Sequence, residues 1–543
     1  MTTTFPERPL VLRLAAALLI VVACVRIAST YHVFNQTWDE PSSVACGMEW
    51  LDQGTYDYDP KHPPLGRVAS ALGLYLAGIR SAGEVNIYAE GNNLLESGGR
   101  YWRNLALARI GVLPFFILAC IVVWRWTSWI WGQRAGLIAL AIFSFLPPVL
   151  GHAGVAMTDI ALAATLPLAL FSFCLWLEQD SPRRTLMLGA CVGLAIISKL
   201  SALIFLPVCG SLILIAHWLR SSDHLKIRPR VREVVGALLV AILVIAAGYK
   251  FAFSPAGLQN MHPAFDRIVG TSGRAHDVVH RALQTPVPAG AFLRGVDELW
   301  SHNEEGHPNY FLGQRRTNGW LYYYPVLLAV KTPIALLLLL VAGVAFLARE
   351  ANWRVWSIVV SVAGMLLVGV ANHVNTGIRH ILPIYVMLAG IAAYGAFRLF
   401  HRGRIYAMVA AALLLWYAAA SAIAHPDYLA YFNEAAHPEN GAFGVDSDLD
   451  WGQDLARLRD ACARHHIDSL ALAYNGSANT TTFGFPPLRQ LLPGTPQTGW
   501  IAISIYKLKL GLPDQPDAYS WLERFRPVET VGKSIRLYYI PPQ

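Results

Sequence analysis

The chain has 543 residues, of which 55% are hydrophobic and only 14% charged, with a formal net charge of +8. Ordinary globular domains carry about 25% charged residues, so this composition excludes a soluble multidomain protein and points to a polytopic membrane protein. The positive balance does not imply nucleic acid: regions 31–103, 253–320 and 423–543 hold 21 Lys+Arg against 28 Asp+Glu, and the remainder holds 22 against 7.

Apolar runs of 17 to 25 residues are long enough to cross a hydrocarbon core about 30 Å thick. In chain order they predict about eleven membrane helices: 10–29, 104–123, 135–150, 159–177, 185–198, 200–218, 233–252, 321–347, 355–371, 380–398 and 405–422. The first is expected to be a retained helix, since it exceeds a signal-peptide core and no A-x-A site follows. With the N-terminus (Arg8, Arg13) inside, every inner connection is basic: Arg125 and Arg134, Arg183 and Arg184, the 219–232 loop, Arg349 and Arg354, then "RLFHRGR". This is the positive-inside pattern. It requires a tight hairpin around Lys199, because one long helix there would turn the basic 219–232 loop outward.

The sidedness places three polar regions outside: the loops 31–103 and 253–320, and the tail. Residues 1–422 therefore read as the membrane module. Residues 423–543 read as a small external α/β domain, with strand-like runs "SLALAYNG", "GWIAISIYKLKL" and "SIRLYYI" around the helical "DWGQDLARLRDACARHH". Of the seven cysteines, only Cys46 and Cys462 fall outside apolar runs, and no spacing suggests a disulfide framework or zinc site.

The stretch from Thr37 to Arg67 holds six carboxylates directly after the first helix. Asp39 and Glu40 fall at the outer membrane surface, where carboxylates serve as general bases, as metal ligands or as solvated loop residues. Glu49, Asp52, Asp57 and Asp59 read as solvated loop. Asp159 begins the fourth helix on the same side; an N-cap at Thr158 or Asp159 is the structural alternative. Arg26, Arg109, Lys199, Lys250, Lys331 and Arg379 lie in or beside outer helix halves, where charge is costly without a partner. Snorkelling accounts for Arg26 and Lys250. Lys331, about ten residues into its helix, and Arg379 suit an anchored phosphate.

His276 and His280, and His302 and His307, sit in the 253–320 loop, but no H-E-x-x-H or comparable motif supports a metal. "DSDLDWGQD" starts like a calcium loop and fails at Trp451 and Arg457; Asp450 capping a helix with Asp454 in its first turn is the better account. No phosphate-binding P-loop is present.

Two elements in order, "WDE" at 38–40 and "DPKHPPLGR" at 59–67, with the outer acid Asp159, resemble the membrane-embedded C-type (GT-C) glycosyltransferases. The likeness is to family 39, which includes the protein O-mannosyltransferases and the aminoarabinose transferases of lipid A. Arg67 stands where the mannosyltransferases usually have Lys, and the 253–320 loop shows no β-trefoil insertion. The resemblance implies an inverting glycosyltransferase of the bacterial cytoplasmic (inner) membrane, using a polyprenyl-phosphate sugar and no cofactor, with a protein, lipid A or glycan acceptor. It implies Asp39, Glu40 and Asp159 as catalytic residues, and His62, Arg67, Lys199, Lys331 and Arg379 on the donor side. The alternatives are a transporter or lipid-linked-sugar flippase, which would concentrate polar groups near the bilayer midplane, and an envelope receptor.

Overall fold

The apolar runs form helices because a chain in lipid must satisfy its backbone polar groups internally. A computed structural model describes residues 9–179, 181–221, 231–258, 270, 272–436 and 443–542; Arg8 and most of the basic 219–232 loop lie outside them. The N-terminal part comprises α1 (Pro9–Ala28), α2 (Glu40–Met48), α3 (Pro64–Leu76), α4 (Ile87–Glu96), α5 (Tyr101–Trp131), α6 (Gln133–Ser144), α7 (Pro147–Ala153) and α8 (Asp159–Glu178). Then come α9 (Pro182–Ser198), α10 (Ala202–Arg220), α11 (Val231–Gly248), α12 (Arg274–Gln284) and α13 (Gly290–Glu305). After these follow α14 (Tyr323–Lys331), α15 (Ile334–Leu347), α16 (Trp353–Ala371), α17 (Ile384–Phe400) and α18 (Arg404–Ile423).

Helices occupy all eleven expected places. Among the described residues seven are long and apolar enough to span alone, and up to nine spans result if the bent pairs α6/α7 (64°) and α14/α15 (113°) each count as one. The other two, α9 and α17, have only 17 residues each. The second bend corrects the expected continuous helix 321–347: α14 ends at Lys331, and Pro333 forces the turn.

The Lys199 hairpin is present. A Cβ on Gly189 would fall 2.4 Å from the Ala237 carbonyl, one on Gly193 2.6 Å from Val244, and one on Gly248 3.2 Å from Ile197. Close approach through small residues is a usual membrane-helix interface, and positions on α9 and α11 rise together, so the two run parallel. The intervening α10 therefore returns across the bundle. Its far end stacks Arg220 over Trp356 at the start of α16, near the Arg354–Glu178 pair. At the opposite end, Asp39, Asp159, Lys199 and Arg379 collect on one side of the bundle.

The loop regions are built rather than loose. Glu49, expected in solvent, is buried and accepts from the Thr55 hydroxyl and the Asp57 and Tyr58 amides. Asp59 likewise pairs with Arg67 at 2.5 Å. Burial opposes its ionisation, but Arg67, His62 and Lys61 outweigh burial and hold the carboxyl well below the usual range. Arg26 is also fixed instead of snorkelling: it donates to the Tyr428 hydroxyl at 3.0 Å and the Ser421 carbonyl at 2.6 Å. Lys250 donates to the Trp50 carbonyl.

The C-terminal part folds as a five-stranded mixed sheet over α19 (Leu455–Arg464). Its strands lie at Leu470–Ala473, Leu488–Gln490, Gly499–Ser504, Glu529–Val531 and Ile535–Ile540, the first three running parallel. Of the run at 499–510, expected as one strand, the first half is the strand Gly499–Ser504 and the second half a helix α20 (Ile505–Leu510) capped by Ser504. Asn35, just beyond α1, caps α19 by accepting from the Leu455 and Ala456 amides at 2.7 and 3.2 Å, and so ties this region to the membrane module.

Candidate active site

The Trp38-Asp39-Glu40 stretch opens α2, and successive residues at a helix start diverge in direction. Asp39 occupies the N-cap position, yet its side chain makes no capping bond. Its Oδ2 accepts from Arg379 Nη1 at 3.1 Å at the edge of a large cavity. Glu40 points the other way. It is fully buried, bound to Arg109 by two 2.8 Å hydrogen bonds, and also accepts from the amides of Ala156 (2.8 Å) and Thr37 (2.7 Å). Glu40, expected as catalytic, is turned away from the cavity and ties α2 to α5 and to the segment just before α8.

Asp159 begins α8 without capping it. Its Oδ1 accepts from Lys199 Nζ at 2.6 Å, while its buried Oδ2 has no partner among the described residues. The pair exists because the α9–α10 hairpin sets Lys199 beside the start of α8. Arg379 sits in a short 3₁₀ turn, Ile378–Ile381, whose Ile378 amide donates to both carboxylate oxygens of Asp448.

Lys331 is not in this group. It is fully buried at the α14 bend, donates to the Leu429 and Asp448 carbonyls at 2.8 and 2.7 Å, and lies over the Phe432 ring. The residue expected on the phosphate thus lies outside the cavity lining and ties the bend to residues 429–448. Arg67 lines the cavity but is nearly buried, engaged by Asp59 and the Cys46 sulfur. His62 reaches the cavity with Nδ1 3.2 Å from Asp59 Oδ2. The "DSDLDWGQD" segment works differently from the expected cap. Asp450 accepts from the Tyr506 and Gly452 amides, and Asp454, next to α19, accepts from the Lys533 amide and Ser534 hydroxyl without capping the helix.

The cavity measures about 1370 Å³, above the roughly 300–1,000 Å³ of small-molecule sites. Its polar part holds Asp39, Asp159, Lys199, Arg379, His62 and His380. Its apolar limb runs between α10 (Leu203, Ile204, Phe205, Val208) and α16 (Leu367, Val368, Ala371). Ile204 and Leu367 are also well exposed, so this limb reaches the flank of the bundle. Further lining comes from Trp451, Asn475, Tyr506 and Lys507 of the C-terminal part and from Arg315 and Arg316 of the β-hairpin at 309–316. No local spacing marks these as site residues; Trp451 lies in a segment with visible acid periodicity, and His380 is the neighbour of Arg379. Among the described residues no three His, Cys, Asp or Glu side chains converge as a metal site.

Residues 16–257 match the family described as dolichyl-phosphate-mannose-protein mannosyltransferase. No curated protein matches the chain. Among solved structures, it is similar to ArnT from Cupriavidus metallidurans bound to undecaprenyl phosphate, at 12% identity and TM-score 0.49, over 97% of this chain and 99% of that one. It is also similar to the Archaeoglobus fulgidus oligosaccharyltransferase tethered to an acceptor peptide, at 14% identity and TM-score 0.46, over 76% of this chain and 54% of that one. The archaeal oligosaccharyltransferase AglB, from the same organism and in complex with an inhibitory peptide and a dolichol-phosphate, gives 12% identity and TM-score 0.45, over 86% and 65%. The chain thus spans about half to two thirds of the archaeal proteins' length. The Asp39–Glu40 pair and the His62–Arg67 segment lie inside the matched range, and over residues 16–257 the chain resembles the mannosyltransferase family, a family 39 membrane glycosyltransferase likeness of the GT-C type.

Proposed function

We propose that this protein is an inverting glycosyltransferase that takes a hexose or pentose from a polyprenyl phosphate at the outer face of the bacterial cytoplasmic membrane and delivers it to an envelope acceptor, whether protein, lipid A or glycan. The observation that carries the reading is one cavity that joins an apolar limb between α10 and α16 to the Asp39–Arg379 and Asp159–Lys199 pairs. An isoprenoid tail suits the limb, and a phosphate suits the cations at its end. The family match over 16–257 supports the same chemistry.

In the proposed reaction Asp39 accepts the acceptor hydroxyl proton as that oxygen attacks the anomeric carbon. The bond from that carbon to the phosphate oxygen breaks, and polyprenyl phosphate leaves with the electron pair. Lys199 and Arg379 stabilise the growing phosphate charge. Each has donors to spare, since an ammonium carries three and a guanidinium five. Asp159 orients Lys199, and Arg67 with His62 shapes the wall through Asp59. The N-terminus inside and the sheet domain outside follow from the charge pattern. The clustering of charged pairs at one end of the bundle, away from its middle, weighs against a transporter.

The test is mass spectrometry of the envelope fraction from a strain lacking the protein, together with consumption of a polyprenyl-phosphate sugar by purified protein in liposomes. Loss of one glycan species with donor-dependent turnover is expected; an unchanged envelope and an untouched donor would overturn the reading.

A further inference from the structure

Arg379 is an unusual guanidinium. Its hydrogen bond to Asp39 is made through Nη1, while its buried Nε has no partner among the described residues. A long side chain held at one corner is free to turn about that contact. What fixes its plane is the indole of Trp451, which lies under the guanidinium carbon at 4.4 Å from the ring centre. A cation over a tryptophan face within about 6 Å is attracted by the ring quadrupole. Trp451 can act as a fixed platform because it is 3% exposed and packed with Val155, Met157, Leu429 and Trp38. Its carbonyl also accepts from the Trp38 amide at 2.8 Å, which sets the backbone immediately before Asp39. One residue thus registers both partners: Asp39 through the chain, Arg379 through the ring.

We propose that Trp451, supplied by the C-terminal part, is the positioning residue that holds Arg379 against Asp39, so that this region completes the membrane module's site. The proposal rests on the reading of Asp39 and Arg379 as reacting groups. Trp451 itself acts through Arg379.

The experiment uses the full chain in lipid nanodiscs with a polyprenyl-phosphate sugar as donor. Trp451 is replaced by Phe, by Leu, and by tryptophans carrying one to four ring fluorines. Fluorination drains the ring face at nearly constant shape, so folding is preserved even where Trp451→Leu fails to fold. Turnover per donor-binding site is expected to fall stepwise with fluorine number, by roughly tenfold across the series, with donor KM within about threefold of wild type. Trp451→Phe should restore most of the turnover lost in Trp451→Leu. A flat fluorine series, or Trp451→Leu turning over at the wild-type rate, overturns the proposal. If wild-type protein transfers nothing from such donors, the functional reading fails by itself. The position of Arg379 in a structure of the tetrafluoro variant then decides: displaced from Asp39, it supports the proposal; in place, it overturns it.

Discussion

Glu40 and Arg109 lock together by two 2.8 Å hydrogen bonds in a site closed to solvent, and the carboxylate takes two further backbone amides. Glu40→Gln leaves Arg109 charged and buried without its counter-ion. Removing one partner of a buried pair costs about 3–5 kcal/mol. The expected result is poor accumulation and a lower thermal midpoint in detergent, with residual turnover scaling with the folded fraction. A stable Glu40→Gln protein that has lost turnover would return Glu40 to the reacting group.

Asp39 gives the opposite expectation. It makes no cap bond and, among the described residues, one ion pair at the cavity edge, so Asp39→Asn should fold and insert as wild type does. Transfer should fall by about 10²–10⁴, the usual worth of a positioned general base. Undiminished transfer would remove Asp39 from that role. Lys199→Met instead leaves the buried Asp159 without its counter-ion, so it should cost about 3–5 kcal/mol, and the protein that still folds should turn over the lipid-linked donor more slowly than wild type.

Much of this end of the molecule was legible because charge is expensive at membrane depth. The expected sidedness, drawn from the basic connections, demanded a Lys199 hairpin, and the structure has that hairpin and gathers Asp39, Asp159, Lys199 and Arg379 at one end of the bundle. The division of labour inside "WDE" was not legible. Two adjacent carboxylates look alike in a sequence, and only the position of Arg109, 69 residues from Glu40, decides which one turns into the core. Lys331 was misplaced for a similar reason. The Thr332-Pro333 break was visible, but the carbonyls that hold Lys331 lie 98 and 117 residues away. Trp451 escaped because an aromatic platform has no local spacing rule.

Lys331→Met therefore tests a structural latch. The side chain is fully buried against two carbonyls and lies 3.6 Å from Asp448 Oδ1. Asp448 also holds the turn that carries Arg379. The variant should be destabilised by about 3–5 kcal/mol, and the protein that still folds should show an unchanged donor KM. A selective rise in donor KM at full stability would place Lys331 on the phosphate after all.

Charge stabilisation in the proposed transfer comes from Lys199 and Arg379, so prolonged chelation should leave turnover largely intact. Loss of activity with EDTA, restored by one divalent ion, would add a metal to the mechanism.

Asp450 supplies a pH signature. Burial raises its pKa to about 7, only partly offset by the amides of Tyr506 and Gly452. A carboxyl that is harder to ionise folded than unfolded binds more protons in the native state. Its contribution to stability is complete below the unfolded value near 4 and is lost as pH rises to about 7. The amount at stake is on the order of 4 kcal/mol. Asp450→Asn removes the titration, so its thermal midpoint relative to wild type should climb between pH 5 and pH 8 and then level off. Other titrating groups, shared by both proteins, cancel in that difference. A difference that stays flat with pH would mean that Asp450 is ionised in the folded protein throughout.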